Sequence, residues 1–145
     1  MLHSANLAIR PTFEPEPIPV VADGDAITLP LADKFGDISD GKMRKYSFRH
    51  NEEIYRFIVM MRPDGEVIAV LDACEICPPV GYVQRGEHVI CKYCNTPIPL
   101  GSLGQPGGCN PIPVRYKTED NTITVSKREI INAYKKETGK KIGSH

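Results

Sequence analysis

Four cysteines form two pairs with the spacing of a metal site. Each pair encloses two residues, and thirteen residues separate the pairs. Two intervening residues let a tight turn direct both sulfurs to one side, and two such turns can converge on one tetrahedral ion. Thiolates favour zinc, copper(I) or iron-sulfur clusters over hard cations. We therefore predict a metal centre whose core ligands are Cys74, Cys77, Cys91 and Cys94.

A fifth cysteine, Cys109, lies in the glycine- and proline-rich segment 107–113. Because glycines allow the backbone to approach a ligand or metal closely, Cys109 is a candidate fifth ligand. Two carboxylates near the first pair, Asp72 and Glu75, are candidates for tuning the site through hydrogen bonds, although solvated carboxylates are the simpler interpretation.

Two histidines and two methionines are weaker ligand candidates. Imidazole and thioether groups bind soft metals, but a histidine on a turn is usually solvated and a methionine in an apolar strand usually fills the core. These less certain candidates are His50, His88, Met60 and Met61.

Other uses of the cysteines fit the sequence less well. Five is an odd number, so at least one thiol is free or bound to something, while disulfides among the others remain an alternative in an oxidising compartment. A thioredoxin-like site needs a helix at its cysteine pair, whereas Pro78 and Pro79 follow Cys77. Covalent haem attachment needs a histidine directly after the second cysteine, and neither pair has one.

Predicted hairpins position the two pairs. A buried hairpin with its turn at 62–65 leads into Cys74, and a second hairpin with its turn at 85–87 ends at Cys91. The ends of these hairpins should bring the cysteine pairs toward each other. The predicted strands are 26–30, 43–48, 54–61, 66–71, 81–84, 88–91, 114–117 and 122–125.

The sequence predicts a mostly β fold of the α+β class, with small antiparallel sheets and hairpins, two cysteine turns and one C-terminal helix. Ser126 and Glu129 have capping-box spacing before a helix over 127–137. Its apolar residues should dock on a sheet. They are Ile130, Ile131 and Tyr134.

The remaining segments are expected to be irregular or extended. Residues 1–24 are predicted to form a proline-rich extended arm, and residues 25–145 a single domain. We expect a polar loop without core residues at 33–41. The many glycines and prolines of 95–113 predict a structured loop without regular elements.

Charge and motif content exclude several classes of function. Lysine plus arginine (18) equals aspartate plus glutamate (18), so no net field attracts nucleic acid. The longest apolar run, 67–71, is far shorter than the roughly 20 residues of a membrane helix, and no signal peptide is expected at the N-terminus. No catalytic triad, phosphate-binding loop or paired catalytic carboxylates supports hydrolytic or kinase-type chemistry.

Three motifs in order resemble one family. They are LDACEICPPVGYVQ at 71–84, VICKYC at 89–94 and GGCNPIP at 107–113, and together they resemble the FtrD-like membrane iron-sulfur protein family. The resemblance covers residues 57–114. It implies an extracytoplasmic domain, periplasmic or at the cell surface, that is usually tethered to membrane helices. It also implies an association with membrane-bound components of bacterial high-affinity iron uptake and a part in electron transfer. This chain differs from that pattern in lacking membrane helices, as a soluble fragment or a free-standing member would.

Three hypotheses follow. The first is a redox module in which thiolates hold a redox-active centre, an iron-sulfur cluster according to the resemblance, with copper or zinc as alternatives that use the same ligands. Such a module would pass electrons without converting a substrate. The second is a binding module stabilised by structural zinc, and the third is a copper or iron chaperone.

Overall fold

The computed structural model describes residues 12–34 and 36–143, with side chains as far as Lys136. Strands dominate the described residues, which also form two short 3-10 helices, at Ile38–Asp40 and Leu100–Ser102, and one helix, α1, at Lys127–Gly143. The strands in chain order are β1 (Ile18–Pro19), β2 (Ala26–Pro30), β3 (Ala32–Asp33), β4 (Gly36–Asp37), β5 (Arg44–His50), β6 (Glu53–Met61), β7 (Val67–Cys74), β8 (Tyr82–Arg85), β9 (His88–Cys91), β10 (Pro97–Pro99), β11 (Pro111–Pro113), β12 (Tyr116–Glu119) and β13 (Thr122–Ser126).

The centre of the fold is a five-stranded sheet in the order β1-β5-β6-β7-β11. All its strand pairs are antiparallel except β1 with β5. The turn between β6 and β7 uses Gly65 at a positive φ of 90°, as predicted for a Pro-Asp-Gly turn. All eight residues of β7 are buried, which indicates that both faces of the sheet are covered.

Alternate residues of β6 and β7 face two separate hydrophobic cores. On one face, Phe57 and Leu71 pack with residues of the sheet β12-β13-β2 and with Ile130 of α1. On the other face, Met60 and Val70 pack with the sheet β10-β9-β8. We call the first the helix-side core and the second the cysteine-side core, because the second contains Cys74, Cys77 and Cys91.

The predicted fold class is confirmed, with small antiparallel sheets and one C-terminal helix. Only half of the predicted capping box forms. The amide of Glu129 donates to the Ser126 hydroxyl at 3.1 Å, but the Glu129 carboxylate accepts a hydrogen bond from the amide of Arg115 instead. The helix side thereby gains a link to the segment between β11 and β12.

Two segments differ from the sequence-based expectation. The loop at 33–41 does contribute to the core, since Ile38 is 4% exposed and packs in the helix-side core. The segment 95–113 contains two short strands, β10 and β11, because each has a neighbouring strand to pair with despite its prolines.

The predicted arm has contacts with the sheets over its described part, residues 12–24. Ile18–Pro19 pairs with β5, and Phe13 exchanges backbone hydrogen bonds with Gln84 of β8 at 2.7 and 2.8 Å. Within the described residues, no helix combines the length and the apolar character needed to cross a bilayer.

Candidate metal centre

The first cysteine pair forms a tight turn at the end of β7. Cys74 is the last residue of that strand, and its sulfur accepts a hydrogen bond from the amide of Cys77 at 3.2 Å. Amide-to-sulfur bonds of this kind orient a cysteine turn and stabilise its thiolate. Cys74 and Cys77 are 2% and 4% exposed, so both sulfurs lie beneath the surface.

The second pair forms a similar turn after the β8–β9 hairpin. Cys91 lies opposite Tyr82 in that hairpin. The carbonyl of Cys91 accepts a hydrogen bond from the amide of Asn95 at 2.8 Å, and Asn95 has a positive φ of 62° that closes the turn. Cys94 is exposed, and its sulfur lies 3.0 Å from the hydroxyl of Thr96.

Strand pairing brings Cys109 to the same place. Pro111 of β11 lies opposite Cys74 of β7, so the residue two positions earlier is delivered beside the first turn. Gly107 and Gly108 both have positive φ, which supports the expectation that glycines shape this approach. The segment is fixed by the side chain of Asn110, which donates to two backbone carbonyls within 95–113 at 3.1 and 3.2 Å.

All five sulfurs converge. The sulfurs of Cys74, Cys77 and Cys109 lie within 4.8 Å of one another, and so do those of Cys77, Cys91 and Cys94. The two triads also meet directly, since the sulfurs of Cys94 and Cys109 are 3.2 Å apart. No disulfide joins any of the five cysteines, all of which are described. These are the distances over which thiolates share a bound ion.

Two of the thiols are set up to ionise. Hydrogen bonds from the Thr96 side chain and then from the Cys109 thiol lower the pKa of Cys94 to about 6. Burial disfavours the thiolate of Cys74, but hydrogen bonds from the amides of Cys77 and Ile76 outweigh it and lower the pKa of Cys74 below its usual value. These two sulfurs are therefore the ones most readily offered as thiolates.

Three other groups resist ionisation. Burial and the neighbouring cysteines raise the pKa of the Cys77 thiol far above its usual value, and the contact with Cys94 followed by burial raises that of Cys109. Burial and the charge of Cys74 likewise raise the pKa of Tyr82. A bound cation would make the thiolate the favoured form of Cys77 and Cys109, because metal binding displaces the protons of thiols.

Asp72 is a buried anchor behind the first turn, not a solvated carboxylate. It is 1% exposed, and its carboxylate lies 3.1 Å from the Lys45 ammonium and 3.2 Å from Arg56 Nε. Its other oxygen accepts a hydrogen bond from the amide of Tyr82 at 2.9 Å. The carboxylate thus joins the strand that carries Cys74 to the hairpin that carries Cys91.

The same network holds the connection between the two turns. Lys45 donates to the carbonyl of Tyr82 at 2.6 Å, and Arg56 donates to that of Pro79 at 3.2 Å. Gly81 has a φ of 97°, and a Cβ there would lie 2.8 Å from Asp72 Oδ2. A glycine is required at this position because any side chain would displace the carboxylate.

The remaining ligand candidates do not join the cysteines. Among the described residues, neither cysteine triad includes a histidine or a carboxylate. His88 lies on the face of β9 opposite Cys91, since the two are three residues apart in a strand, and His50 ends β5 opposite Glu53. Glu75 is half-buried within the first turn.

The two methionines lie on opposite faces of β6. Met60 is buried in the cysteine-side core among aliphatic residues, and Met61 is partly buried against the helix-side core. Only Met60 therefore shares a core with the cysteines.

Two residues near the sulfurs were not predicted from the sequence. The Tyr82 hydroxyl donates to the carbonyl of Cys109 and lies against Cys74, so it links the turns. Thr96 contacts the Cys94 sulfur. A hydroxyl residue two positions after a cysteine pair is a signal that sequence analysis could have used, whereas the position of Tyr82 depends on strand pairing.

Comparison with known families gives a match for most of the chain. The family described as "Membrane iron-sulfur containing protein FtrD-like" matches residues 38–136, a range that contains all five cysteines and the Asp72 network. Neither a curated protein nor a solved structure matches the chain. Since the family match spans more than half of the sequence, the chain belongs to the FtrD-like family of membrane iron-sulfur containing proteins.

Proposed function

We propose that this protein is a metal-thiolate redox module that transfers electrons in a bacterial high-affinity iron-uptake system. The observation that carries the proposal is the convergence of five cysteine sulfurs in two triads that share Cys77. Ligand sets made entirely of thiolates select soft or borderline metals such as copper(I), zinc and the irons of iron-sulfur centres. The core ligands are the two cysteine pairs, and Cys109 adds a fifth sulfur.

The donor chemistry fits the iron-sulfur character of the family. Iron-sulfur centres are held by cysteine thiolates, and when bound they supply reversible one-electron chemistry. Cys74, Cys77, Cys91 and Cys94 would hold such a group. In this chain the amide of Cys77 and the hydroxyl of Thr96 bond to ligand sulfurs, and such hydrogen bonds tune a reduction potential. Copper or zinc would use the same ligands.

The surroundings of the sulfurs favour electron transfer over conversion of a substrate. Within the described part of the chain, neither sulfur triad includes an imidazole or a carboxylate. The nearby carboxylate of Asp72 is occupied by Lys45, Arg56 and the amide of Tyr82. A site with only sulfur ligands, and with its nearest carboxylate already paired, favours accepting and releasing electrons.

The second turn provides an exposed edge for that exchange. Cys94 is exposed, and the large apolar side chains in the middle of the two turns, Ile76 and Tyr93, are 63% and 62% exposed. Of the four core ligands, Cys74, Cys77 and Cys91 are buried and Cys94 lies at the surface. A redox partner would approach here, where the centre is nearest to solvent and the rim is apolar.

The location and partners are part of the proposal. The family is described as membrane iron-sulfur proteins, which supports a place beside membrane-bound iron-uptake or electron-transfer proteins. We place the domain on the extracytoplasmic side, in the periplasm or at the cell surface. There it would exchange electrons with those membrane-bound proteins.

A second candidate function is supported by the exposure of Cys94. A copper or iron chaperone passes its ion by ligand exchange, which requires at least one accessible ligand. Cys94 meets that requirement, with a pKa of about 6 that keeps it ionised at neutral pH. A chaperone would lose its ion to an acceptor, whereas a redox module keeps the ion while it cycles between oxidation states.

Anaerobic purification followed by metal analysis, an absorption spectrum and a reductive titration tests the proposal. We expect stoichiometric bound iron or copper, a visible spectrum that bleaches reversibly with reductant, and retention of the metal through repeated cycles. Cys91→Ser should lose most of the metal, while the control Thr118→Ser on β12 should keep it. A colourless, redox-silent zinc protein would overturn the redox role in favour of a structural one. Stoichiometric transfer of the ion to an acceptor would indicate the chaperone.

A further inference from the structure

Cys77 lies at the centre of the sulfur cluster. Its sulfur is within 4.8 Å of each of the other four, because it belongs to both triads. Its side chain is 4% exposed, and the remaining sulfurs lie around it in two groups, one from the ends of β7 and β11 and the other from the second turn. Cys77 is the one cysteine common to both triads, and it also lies within 4.8 Å of both Cys94 and Cys109, whose sulfurs are 3.2 Å apart.

The spacing of the sulfurs matches ions bound directly by thiolates. Thiolates bound to one tetrahedral ion at about 2.3 Å lie about 3.8 Å from one another. Each triad, with all its sulfurs within 4.8 Å, therefore supplies three ligands of one ion with only small movements. A single tetrahedral ion takes four sulfurs, which would leave one of the five without a role.

If all five cysteines bind as thiolates, charge also favours more than one ion. Three of the five sulfurs, those of Cys74, Cys77 and Cys91, are at most 4% exposed. Five thiolates around one divalent ion would leave a large negative charge in this buried site, and uncompensated buried charge is costly. A second cation beside the first offsets most of it.

We infer that the centre holds two metal ions that share the Cys77 thiolate as a bridge. The first ion is bound by Cys74, Cys77 and Cys109, and the second by Cys77, Cys91 and Cys94. The sulfurs of Cys94 and Cys109, which the two ions would use separately, lie 3.2 Å apart, so the two sites would be adjacent. This inference rests on the proposed metal centre, in the form in which thiolates alone bind the ions as for copper or zinc, and adds its nuclearity and the role of Cys77.

Cadmium-113 substitution tests the bridge directly. Cadmium is a spectroscopic stand-in for thiolate-bound metals, and the probe is the reduced protein loaded anaerobically with cadmium-113 alone. We expect two bound ions per chain by native mass spectrometry and two cadmium resonances in the all-thiolate region. In a proton–cadmium correlation spectrum, the β protons of Cys77 should couple to both ions and those of every other cysteine to one.

Variants separate the two sites. Cys109→Ser removes a ligand of the first ion only, so we expect the loss of one resonance with the second ion retained. Cys77→Ser removes the bridge and should lower the affinity of the protein for both ions by at least tenfold. If Cys77→Ser fails to fold, the correlation spectrum of the unmodified chain still shows whether Cys77 couples to one cadmium ion or to two.

The outcomes distinguish the two proposals. One cadmium ion per chain, with Cys77 coupled to that ion alone, would overturn the shared bridge and leave a single-ion centre. No bound cadmium under reducing conditions would overturn the metal centre itself. Two ions with no common ligand would also contradict the role assigned to Cys77.

Discussion

At the scale of single residues, the five cysteines have similar chemistry but different surroundings. Cys94 is exposed and its thiolate is stabilised by Thr96, whereas Cys77 is buried and its pKa is raised. The buried cysteine side chains are held in fixed positions, and the exposed side chain of Cys94 is open to an ion or reagent from solvent. An ion would enter past Cys94 and finish at the buried sulfurs as their protons leave.

Alkylation of the reduced, metal-free protein tests this difference. Only the thiolate reacts, and the pKa of Cys94 is lowered to about 6, so its thiolate predominates above pH 6 and is lost as the pH falls through that value. We expect iodoacetamide at pH 7 to label Cys94 first, with half the maximal rate near pH 6. Mass spectrometry of the labelled peptides gives the site and the rate.

A matched pair of threonine variants identifies the cause. Thr96→Val removes the hydroxyl next to the Cys94 sulfur and should slow labelling at pH 7 by roughly threefold to tenfold. Thr118→Val, at an exposed position of β12 in the sheet β12-β13-β2, should leave the rate unchanged. Equal rates in all three proteins would mean that Thr96 does not stabilise the thiolate.

The sequence spacing of the cysteines was sufficient to predict them as metal ligands, but it did not predict which residues surround them. Two residues between paired cysteines define a turn locally, so both turns could be foreseen. The delivery of Cys109 depends on the pairing of Pro111 with Cys74, a contact between residues far apart in the chain. This pairing cannot be predicted from the neighbouring residues in the sequence. The burial of Asp72 cannot be predicted from them either.

At the scale of elements, the cysteine turns depend on the contact between β7 and the β8–β9 hairpin. Asp72 makes that contact through Lys45, Arg56 and the amide of Tyr82. Lys45 and Asp72 are both nearly inaccessible, at 2% and 1% exposure, and each has one further charged partner. The Lys45 ammonium also lies 3.1 Å from the exposed Glu14 carboxylate, and the Asp72 carboxylate lies 3.2 Å from Arg56 Nε. The ion pair thus orders the scaffold of the site without binding the metal.

Asp72→Asn should strongly destabilise the protein. The substitution leaves the buried Lys45 ammonium with only the exposed Glu14 carboxylate as a counterion, and breaking a buried pair by changing one partner costs up to about 3 to 5 kcal/mol. Urea unfolding of the metal-loaded protein measures the free energy, and metal content should fall as the two turns lose register. Glu119→Gln, at an exposed pair with Lys117, should change the free energy by less than about 1 kcal/mol. A similar small change for Asp72→Asn would contradict the anchoring role.

Strands were easier to predict than the segments between them. The alternating patterns of β5 and β6 and the turn before β7 are local signals, and the hairpins formed as predicted. The proline-rich strands β10 and β11 were missed, because prolines can occupy positions where no ladder hydrogen bond is donated. These two segments form strands because β10 pairs with β9 and β11 pairs with β7.

At the scale of the whole molecule, the described residues form two cores, and only one of them contains cysteines. The helix-side core contains aliphatic and aromatic side chains and no cysteine, and its stacked rings include Phe48 with Tyr55. The cysteine-side core contains three of the five cysteines and is covered by short strands. Removing the metal should therefore loosen one layer and spare the other.

Hydrogen exchange of metal-loaded and metal-free protein measures this asymmetry. We expect faster exchange in residues 74–110 after chelation, and little change in β6, β13 and the first turns of α1. Opening free energies differ across a structure in this way when one unit depends on a ligand and its neighbour does not. Uniform loss of protection over the whole chain would show instead that the fold as a whole requires the metal.

The most direct test of the central claim, that these cysteines jointly bind a metal, is X-ray absorption at the edge of the metal retained after anaerobic purification. We expect a first shell made only of sulfur, at about 2.3 Å, that loses sulfur in Cys91→Ser. A first shell dominated by nitrogen or oxygen, or a sulfur shell unchanged by that substitution, would contradict it.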